Sequence, residues 1–266
     1  MAMSLENLRR GKQMRPPRMV IYGEHKIGKS TFAASFPNTV FIATEEGLDH
    51  IDAQSFPLCT SYADVLACIS ELFSKPHDFS TVAIDSLDWL ETLIFSQACK
   101  DSGKNYTSIE DFGYGKGYVE ALKYWHEILG GLNALRDKRG MAVVCIAHHA
   151  IKRFDAPDTE SYDQYRIKLH DKAGALVQEW ADVIGFCAEE THTKKSEAGF
   201  NKEVVRAIGT GRRLLHLRGK PSFQAGNRYN LPPAVELNAN AFFSAFNAAN
   251  APPAPAVTTE PAAAAA

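Results

Sequence analysis

The chain has 266 residues, of which 45% are hydrophobic and 23% are charged, and its formal net charge is −2. This composition is typical of a globular domain and excludes global disorder, collagen and a long coiled coil. No apolar run is long enough to span a bilayer, and the basic N-terminus lacks the apolar segment of a secretory signal. The five cysteines are scattered without a C-x-x-C pair. We therefore expect neither a zinc site nor a disulfide framework, and we expect a cytoplasmic protein.

Five short apolar runs, rich in β-branched residues, indicate strands that are buried on both faces of a sheet. They are residues 19–22, 39–42, 81–84, 142–147 and 183–187. Helical spacing lies between them, most clearly over 118–135, where apolar residues recur every three or four positions. This alternation predicts an α/β fold with a mainly parallel central sheet flanked by helices. Residues 203–208 and 212–217, joined by Gly-Thr-Gly at 209–211, predict a C-terminal β-hairpin that extends the sheet.

The two ends of the chain differ from its middle in composition. Residues 1–17 are basic and end at Pro16-Pro17, which predicts a flexible N-terminal arm. Residues 248–266 consist almost entirely of Ala, Pro, Asn and Thr, which predicts a disordered tail. The folded core is therefore expected to span residues 18–247.

A phosphate-binding loop follows the first predicted strand. Residues 23–30, GEHKIGKS, match the pattern G-x-x-x-x-G-K-[ST] without a mismatch and precede a helical stretch. The glycines let backbone N–H groups point inward at phosphate, and the start of the helix adds partial positive charge. We expect Lys29 to reach the β- and γ-phosphates of ATP and Ser30 to bind Mg²⁺. The expected nucleotide contacts are Gly23, Glu24, His25, Lys26, Ile27, Gly28, Lys29, Ser30 and Thr31.

An acidic residue ends the third apolar run. Asp85 follows Thr81–Ile84, which is the Walker B form, and it is expected at the carboxyl end of a strand, where open α/β sheets bind their ligands. There it can hold the Mg²⁺ shell. The alternative is that Asp85 only caps the following helix. The phosphate loop favours the metal role.

Two further polar residues follow the second and fourth apolar runs. Glu45 is a candidate for orienting and deprotonating water, and the alternative is a solvated acidic turn. His148 stands where a γ-phosphate sensor would lie, and the alternatives are a packed histidine or a metal pair with His149. Adjacent strand residues point to opposite sides, so the metal pair is disfavoured.

These segments resemble the RecA recombinases. Residues 41–49, FIATEEGLD, look like the second-strand segment in which a glutamate at the position of Glu45 activates water. Ile84-Asp85-Ser86 is similar to the family's Walker B strand, and Ile146-Ala147-His148 matches the strand that ends in its glutamine sensor, with His148 in place of glutamine. The compact size, the paired histidines and the segments WADV (180–183) and GNRYNLP (226–232) resemble phage-encoded RecA-core ATPases that assist single-strand annealing. The resemblance covers about residues 18–235.

The resemblance implies partners as well as a fold. It implies a homo-oligomer, ring or filament, in which Arg228 reaches the γ-phosphate of a neighbouring subunit, and an association with a single-strand DNA-binding protein. It also implies contacts to single-stranded DNA from two loops, at about 101–117 and 150–170. The aromatic and basic residues that suit stacking and phosphate pairing are Lys104, Tyr106, Phe112, Tyr114 and Lys116 in the first loop, and Lys152, Arg153, Phe154, Tyr162, Tyr165, Arg166 and Lys168 in the second. A surface loop that binds nothing is the alternative.

Three functions remain open at this point. The first is a RecA-type, Mg²⁺-dependent and DNA-stimulated ATPase that supports phage-type recombination or annealing, in the bacterial cytoplasm if the chain is phage-encoded. The second is a small-molecule kinase, for which Arg153 and Arg166 could serve as a lid. The third is a nucleotide-gated binding module without hydrolysis. Glu45 favours the first, because it suits water activation.

The small net charge conceals an uneven distribution. Residues 1–18 carry +4, residues 19–201 carry −10 and residues 202–228 carry +6. The basic segments could meet phosphate or an acidic face of a second copy. Near-neutrality therefore excludes neither DNA binding nor self-assembly, and DNA binding is expected to depend strongly on salt.

Overall fold

The computed structural model describes residues 14–197 and 203–251, together with Leu8 and Gly11. The strands in this part of the chain are β1 (Arg18–Gly23), β2 (Thr39–Ala43), β3 (Gln54–Ser55), β4 (Thr81–Asp85), β5 (Ala142–Phe154), β6 (Tyr162–Ile167), β7 (Val183–Glu197), β8 (Glu203–His216), β9 (Gly226–Asn227) and β10 (Ala234–Glu236). The helices are α1 (Lys29–Ala34), α2 (Tyr62–Ser74), α3 (Leu87–Asp101), α4 (Lys116–Arg139), α5 (Asp171–Trp180) and α6 (Ala239–Asn250), with a 3-10 helix at Ile109–Phe112.

The strands form one sheet in the order β3-β2-β4-β5-β1-β7-β8-β10, with β6 paired to β5 and β9 to β7. Neighbours from β3 to β7 along this order run parallel, and β8 and β10 continue the sheet antiparallel. The predicted α/β fold with a mainly parallel sheet is therefore confirmed, including its antiparallel extension near the C-terminus. The five predicted strands correspond to β1, β2, β4, β5 and β7, and the helical spacing over 118–135 corresponds to α4.

Two apolar layers enclose the sheet. Helices α2, α3, α4 and α5 cover one face, where Trp125 of α4 is fully buried. Helices α1 and α6 cover the other face, where Phe32 packs edge-on against Phe242. Since both faces are covered, the central strands are apolar at nearly every position, which explains why they read as continuous runs rather than alternating ones.

The strand register aligns the carboxyl ends of the parallel strands at one edge. Gly23 of β1 lies opposite His148 of β5, and Ala43 of β2 lies opposite Asp85 of β4. The phosphate loop, Glu45, Asp85 and His148 therefore emerge together at this edge.

The hairpin of the antiparallel extension is built from other strands than the sequence pattern suggested. Residues 203–208 and 212–217 do not pair with each other: β8 is one strand that pairs with β7 along its length. The register shifts between Glu189 and Thr191: Gly209 still pairs with Thr191, and residues 210–212 form a bulge rather than a turn. The prediction of a turn at 209–211 is wrong because pairing with a distant strand overrides a local turn signal.

The second predicted DNA loop is mostly sheet. Strand β5 continues past the histidines to Phe154 and pairs antiparallel with β6, so residues 149–167 form a β-hairpin with its tip at 155–161. The expectation of a loop over about 150–170 is corrected to this hairpin.

The boundaries of the predicted arm and tail also differ from those that the structure shows. Helix α6 extends to Asn250, so residues 248–250 belong to the folded core and not to the tail. At the other end, Arg15 contacts Asp137 at 3.3 Å, and the Pro16 carbonyl accepts a hydrogen bond from Arg136 at 2.7 Å. These residues of the predicted arm therefore lie against the end of α4. The rest of the predicted tail, 252–266, and most of the predicted arm lie outside the described residues.

Candidate nucleotide-binding site

The phosphate loop connects β1 to α1 and has the backbone shape that an anion requires. Lys26 and Gly28 have positive φ angles of 63° and 106°, which turn successive N–H groups toward the same side. Gly23 has no space for a side chain, since a Cβ there would lie 2.2 Å from the Cys187 carbonyl oxygen. Of the other predicted contacts, Ile27 is buried, whereas the side chains of Glu24, His25, Lys26 and Thr31 are exposed. The backbone rather than these side chains is what the loop offers to phosphate.

Lys29 is the cationic group of the loop. It is only 6% exposed, and its ammonium donates to the carbonyl oxygens of Gly23 at 3.2 Å and Glu24 at 2.7 Å. Burial lowers its pKa from the usual value, so an anion brought beside it stabilises its charged form. The residue is thus placed to receive phosphate oxygens.

Ser30 and Asp85 meet beside Lys29. The Ser30 hydroxyl donates to Asp85 Oδ2 at 2.6 Å, and burial raises the pKa of Asp85. A Mg²⁺ ion would stabilise the ionised form of this buried carboxylate. A hydroxyl and a carboxylate form a ligand set that Mg²⁺ accepts together with phosphate oxygens and water. Within the described ranges no three His, Cys, Asp or Glu side chains form a metal cluster.

Glu45 follows β2, and hydrogen bonds between this segment and the end of β4 hold it near Ser30 and Asp85. The Thr44 hydroxyl donates to the Ser86 carbonyl at 2.7 Å and accepts the Ser86 N–H at 2.8 Å, and the Glu45 N–H donates to the Asp85 carbonyl at 3.3 Å. The Glu45 side chain is 21% exposed, and its Oε1 lies 3.9 Å from His148 Nε2. A carboxylate in this position can orient and deprotonate a water molecule.

His148 is the second polar group at this point. It is 8% exposed, and its ring stacks on that of His25 with the centroids 4.0 Å apart. The proximity of His148 is the main reason that the pKa of His25 is lowered. His149, the next residue, packs edge-on against Tyr165 instead, so the two histidines point to different surroundings.

The structure thus gathers Lys29, Ser30, Glu45, Asp85 and His148 at one edge of the sheet. Arg228 is the predicted site residue that it does not bring there. Arg228 lies beside the amino end of β7, where its guanidinium contacts Asp182 at 3.1 Å and the Glu179 carbonyl. It is therefore on the opposite edge of the sheet from the phosphate loop of its own chain.

Sequence reasoning missed Asp88, whose carboxylate holds the backbone and the ring of His148. A signal was present, because an acidic residue three positions after the Walker B aspartate falls in the first turn of the next helix, at the same edge of the sheet. It also missed Arg213, whose Nη1 would lie 3.3 Å from a Cβ added to Gly28. No local pattern places a residue of β8 beside the phosphate loop.

The two predicted DNA segments lie on the same side of the sheet as α3. In the first, Tyr106 packs against Phe112 and Lys104, while Tyr114 is fully exposed. In the second, the cationic residues have partners within the hairpin or close to it: Lys152 contacts Asp171 at 2.6 Å, Arg153 contacts Asp155 at 3.4 Å, and the Arg166 guanidinium lies over Phe154. Lys168 is 56% exposed and lies 3.8 Å from Asp88.

No helix in the described part of the chain has both the length and the apolar character needed to cross a membrane.

Comparison with protein families agrees with a nucleotide site of this kind. A family model described as AAA domain matches residues 15–229. Among solved structures, the chain is similar to the RadB recombinase, at 14% identity and a TM-score of 0.44 over 84% of this chain and 87% of that chain. No curated protein matches. Because the family model spans most of the sequence, the chain belongs to the AAA domain family of P-loop ATPases.

Proposed function

We propose that this chain is a Mg²⁺-dependent ATPase of RecA type that binds single-stranded DNA, assembles with copies of itself and supports phage-type homologous recombination or strand annealing. The observation that carries the proposal is the placement of Glu45, 3.9 Å from His148, at the edge that also holds Lys29, Ser30 and Asp85. The first pair suits the attacking water, and the other three suit the phosphates and their metal ion.

Hydrolysis requires a base for water and positive charge for the phosphates. Glu45 is partly exposed and has no hydrogen bond within the described residues that would occupy its carboxylate. Lys29 supplies a buried positive charge, and Mg²⁺ held by Ser30 and Asp85 would polarise the γ-phosphoryl group. These residues therefore support ATP hydrolysis in preference to nucleotide binding alone.

DNA binding is supported by the surface next to this site. A pocket of about 420 Å³ opens between α3 and the β5–β6 hairpin, and its lining includes Trp89 and the exposed Lys168, with Lys152 paired to Asp171 at its rim. Trp89 is 50% exposed, and Tyr114 is fully exposed nearby in sequence to Lys116. Exposed aromatic rings beside lysines are what a stacked single strand with its phosphates requires.

A kinase is supported less well. Its proposed lid residues, Arg153 and Arg166, are already engaged within the hairpin, by Asp155 and by Phe154 and Gln164. A lid arginine needs its guanidinium free for the phosphates.

The test is ATP hydrolysis with and without single-stranded DNA, for the wild type, Glu45→Gln and Glu46→Gln. Glu46 is the matched control because it is adjacent and exposed. We expect DNA to stimulate the wild type, Glu45→Gln to lose hydrolysis by about 100-fold or more while still binding ATP, and Glu46→Gln to resemble the wild type. Nucleotide binding without hydrolysis in the wild type would leave a gated module, and hydrolysis that DNA never changes would remove DNA from the proposal.

A further inference from the structure

We infer that Asp88 is a positioning residue for the proposed ATPase site: it fixes the ring of His148 so that Nδ1 carries the proton and Nε2 faces Glu45. The inference rests on the proposed function for its catalytic consequence, but its structural content can be measured without any turnover.

Asp88 forms hydrogen bonds with both the backbone and the ring of His148. Its Oδ1 accepts the backbone N–H of His148 at 3.0 Å, and its two oxygens lie 3.1 and 2.9 Å from Nδ1 of the ring. Asp88 lies in the first turn of α3 and is 9% exposed, and His148 is 8% exposed. Since both groups are largely buried, these bonds are stronger than they would be at a fully exposed site.

The charge of Asp88 decides which nitrogen of the ring carries hydrogen. An ionised carboxylate only accepts hydrogen bonds, so Nδ1 must be the donor, and in the neutral ring Nε2 is then an acceptor. Burial alone would raise the pKa of Asp88, but the hydrogen bonds from the ring and the backbone of His148 outweigh it and hold that pKa below its usual value. Lys168, at 3.8 Å, adds a positive charge on the same carboxylate.

The far side of the ring then faces Glu45. The distance of 3.9 Å between Nε2 and Glu45 Oε1 is too long for a direct hydrogen bond, and two acceptors would not attract each other. It suits one water molecule that donates a hydrogen to each of them. Asp88 would thereby help to place the water that Glu45 deprotonates, although it touches neither the water nor the nucleotide.

The competing role for Asp88 is purely structural, because an acidic residue in the first turn of a helix also stabilises the helix dipole. Glu91, one turn along α3, is the matched control for that role. It is equally buried, at 8% exposure, and its carboxylate accepts the N–H of His170 at 3.0 and 3.1 Å instead of holding His148.

The substitution that separates the roles is Asp88→Asn. The asparagine oxygen can keep the backbone N–H of His148, which leaves the amide NH₂ facing Nδ1. An NH₂ group only donates, so Nδ1 must become the acceptor and the proton moves to Nε2. We expect kcat to fall by about 100-fold and KM for ATP to change by less than about threefold, whereas Glu91→Gln keeps both values near those of the wild type.

The direct readout is the tautomer of His148 by ¹⁵N NMR of the histidine rings, with the resonance assigned through its loss in His148→Gln. We expect the Nδ1–H form in the wild type and in Glu91→Gln, and the Nε2–H form in Asp88→Asn. A wild-type ring in the Nε2–H form would overturn the inference, even if the Asp88 variant failed to fold. So would an unchanged kcat in a folded Asp88→Asn. A wild type that does not hydrolyse ATP would refute the proposed function, while the tautomer would still report on Asp88.

Discussion

At the scale of single residues, the buried charges of this chain differ in how they are compensated. In the proposed site, phosphate and a metal ion would compensate Lys29 and Asp85, whereas Asp88 accepts hydrogen bonds from His148. Glu91 is the exception, because its carboxylate is buried with one backbone N–H as its hydrogen-bond donor among the described residues. Burial raises its pKa from 4.5 to about 7.

That raised pKa makes the folded state lose stability as the pH rises. Between about pH 4.5 and 7 the unfolded chain has released the Glu91 proton and the folded chain still holds it, so the free energy of unfolding falls across this window. We expect Glu91→Gln, which is neutral at every pH, to raise the free energy of unfolding at pH 8 by up to about 3 kcal/mol and to change it much less at pH 5. Urea denaturation at the two pH values measures this. Equal effects at both would show that the carboxylate is not the cause.

At the scale of elements, sequence succeeded where a local pattern and the tertiary surroundings agree. Strands β1, β2 and β4 are buried on both faces, so burial itself produces the apolar runs that predict them. It failed at β8, where two glycines read as a turn although β7 supplies partners on both sides of them. It also ended the fourth strand at Ala147, because the polar residues beyond, up to Phe154, belong to a part of β5 with one exposed face.

The candidate site divides in the same way. The phosphate loop, Asp85 and Glu45 are contiguous motifs next to strands, and sequence could name them. The contacts of His148 with Asp88 and His25 join segments that are 60 and more than 100 residues apart in sequence. Only the strand register brings such residues together, so no local spacing could predict them.

Helix α4 offers a paired test of packing at two adjacent glycines. A Cβ added to Gly130 meets nothing within 4 Å, whereas one added to Gly131 would lie 2.8 Å from Cγ2 of the buried Ile69 on α2. We expect Gly130→Ala to stabilise the protein by about 0.5–1 kcal/mol, because alanine is the better helix former. We expect Gly131→Ala to destabilise it by about 1–3 kcal/mol through the clash.

Thermal or urea unfolding of the two single variants measures the difference. Both substitutions add the same methyl group to the same helix, so each serves as the control for the other. If both substitutions were stabilising, Ile69 of α2 would have moved to accommodate the methyl group at position 131. The close approach of α2 and α4 would then not require glycine there.

At the scale of the whole molecule, the two edges of the sheet carry different charges. The carboxyl edge holds the proposed nucleotide site. At the amino edge Asp182 forms ion pairs with three arginines: Arg18 at 2.8 Å, Arg136 at 3.2 Å and Arg228 at 3.1 Å. One carboxylate therefore faces three positive charges, and Arg228 is the most exposed of the three at 55%.

Asp182 ties β1, α4 and the start of β7 together, so its loss should affect the whole fold. Its pKa is held below the usual value: burial alone would raise it, and the hydrogen bonds and charge of Arg18 outweigh that effect. We expect Asp182→Asn to lower the free energy of unfolding by about 3 kcal/mol, because two largely buried arginines lose their counter-charge. Arg228→Ala, which leaves Arg18 and Arg136 on the carboxylate, should cost less than about 1 kcal/mol. Urea unfolding compares the two, and equal losses would mean that Arg228 is part of the structural cluster.

The excess of positive charge around Asp182, three arginines on one carboxylate, bears on the proposed assembly. Strand β1, six residues long, separates the two edges by about 16 Å, so Arg228 can act on a γ-phosphate only in another copy of the chain. It can leave Asp182 without exposing an unpaired carboxylate, since Arg18 and Arg136 remain. We expect Arg228→Ala alone to lose most DNA-stimulated hydrolysis while staying folded. Mixing it with Glu45→Gln should restore part of the activity, because the intact site of the first variant then meets the intact arginine of the second. Activity of Arg228→Ala at the wild-type rate, or a mixture no more active than its separate components, would show that Arg228 is not shared between subunits.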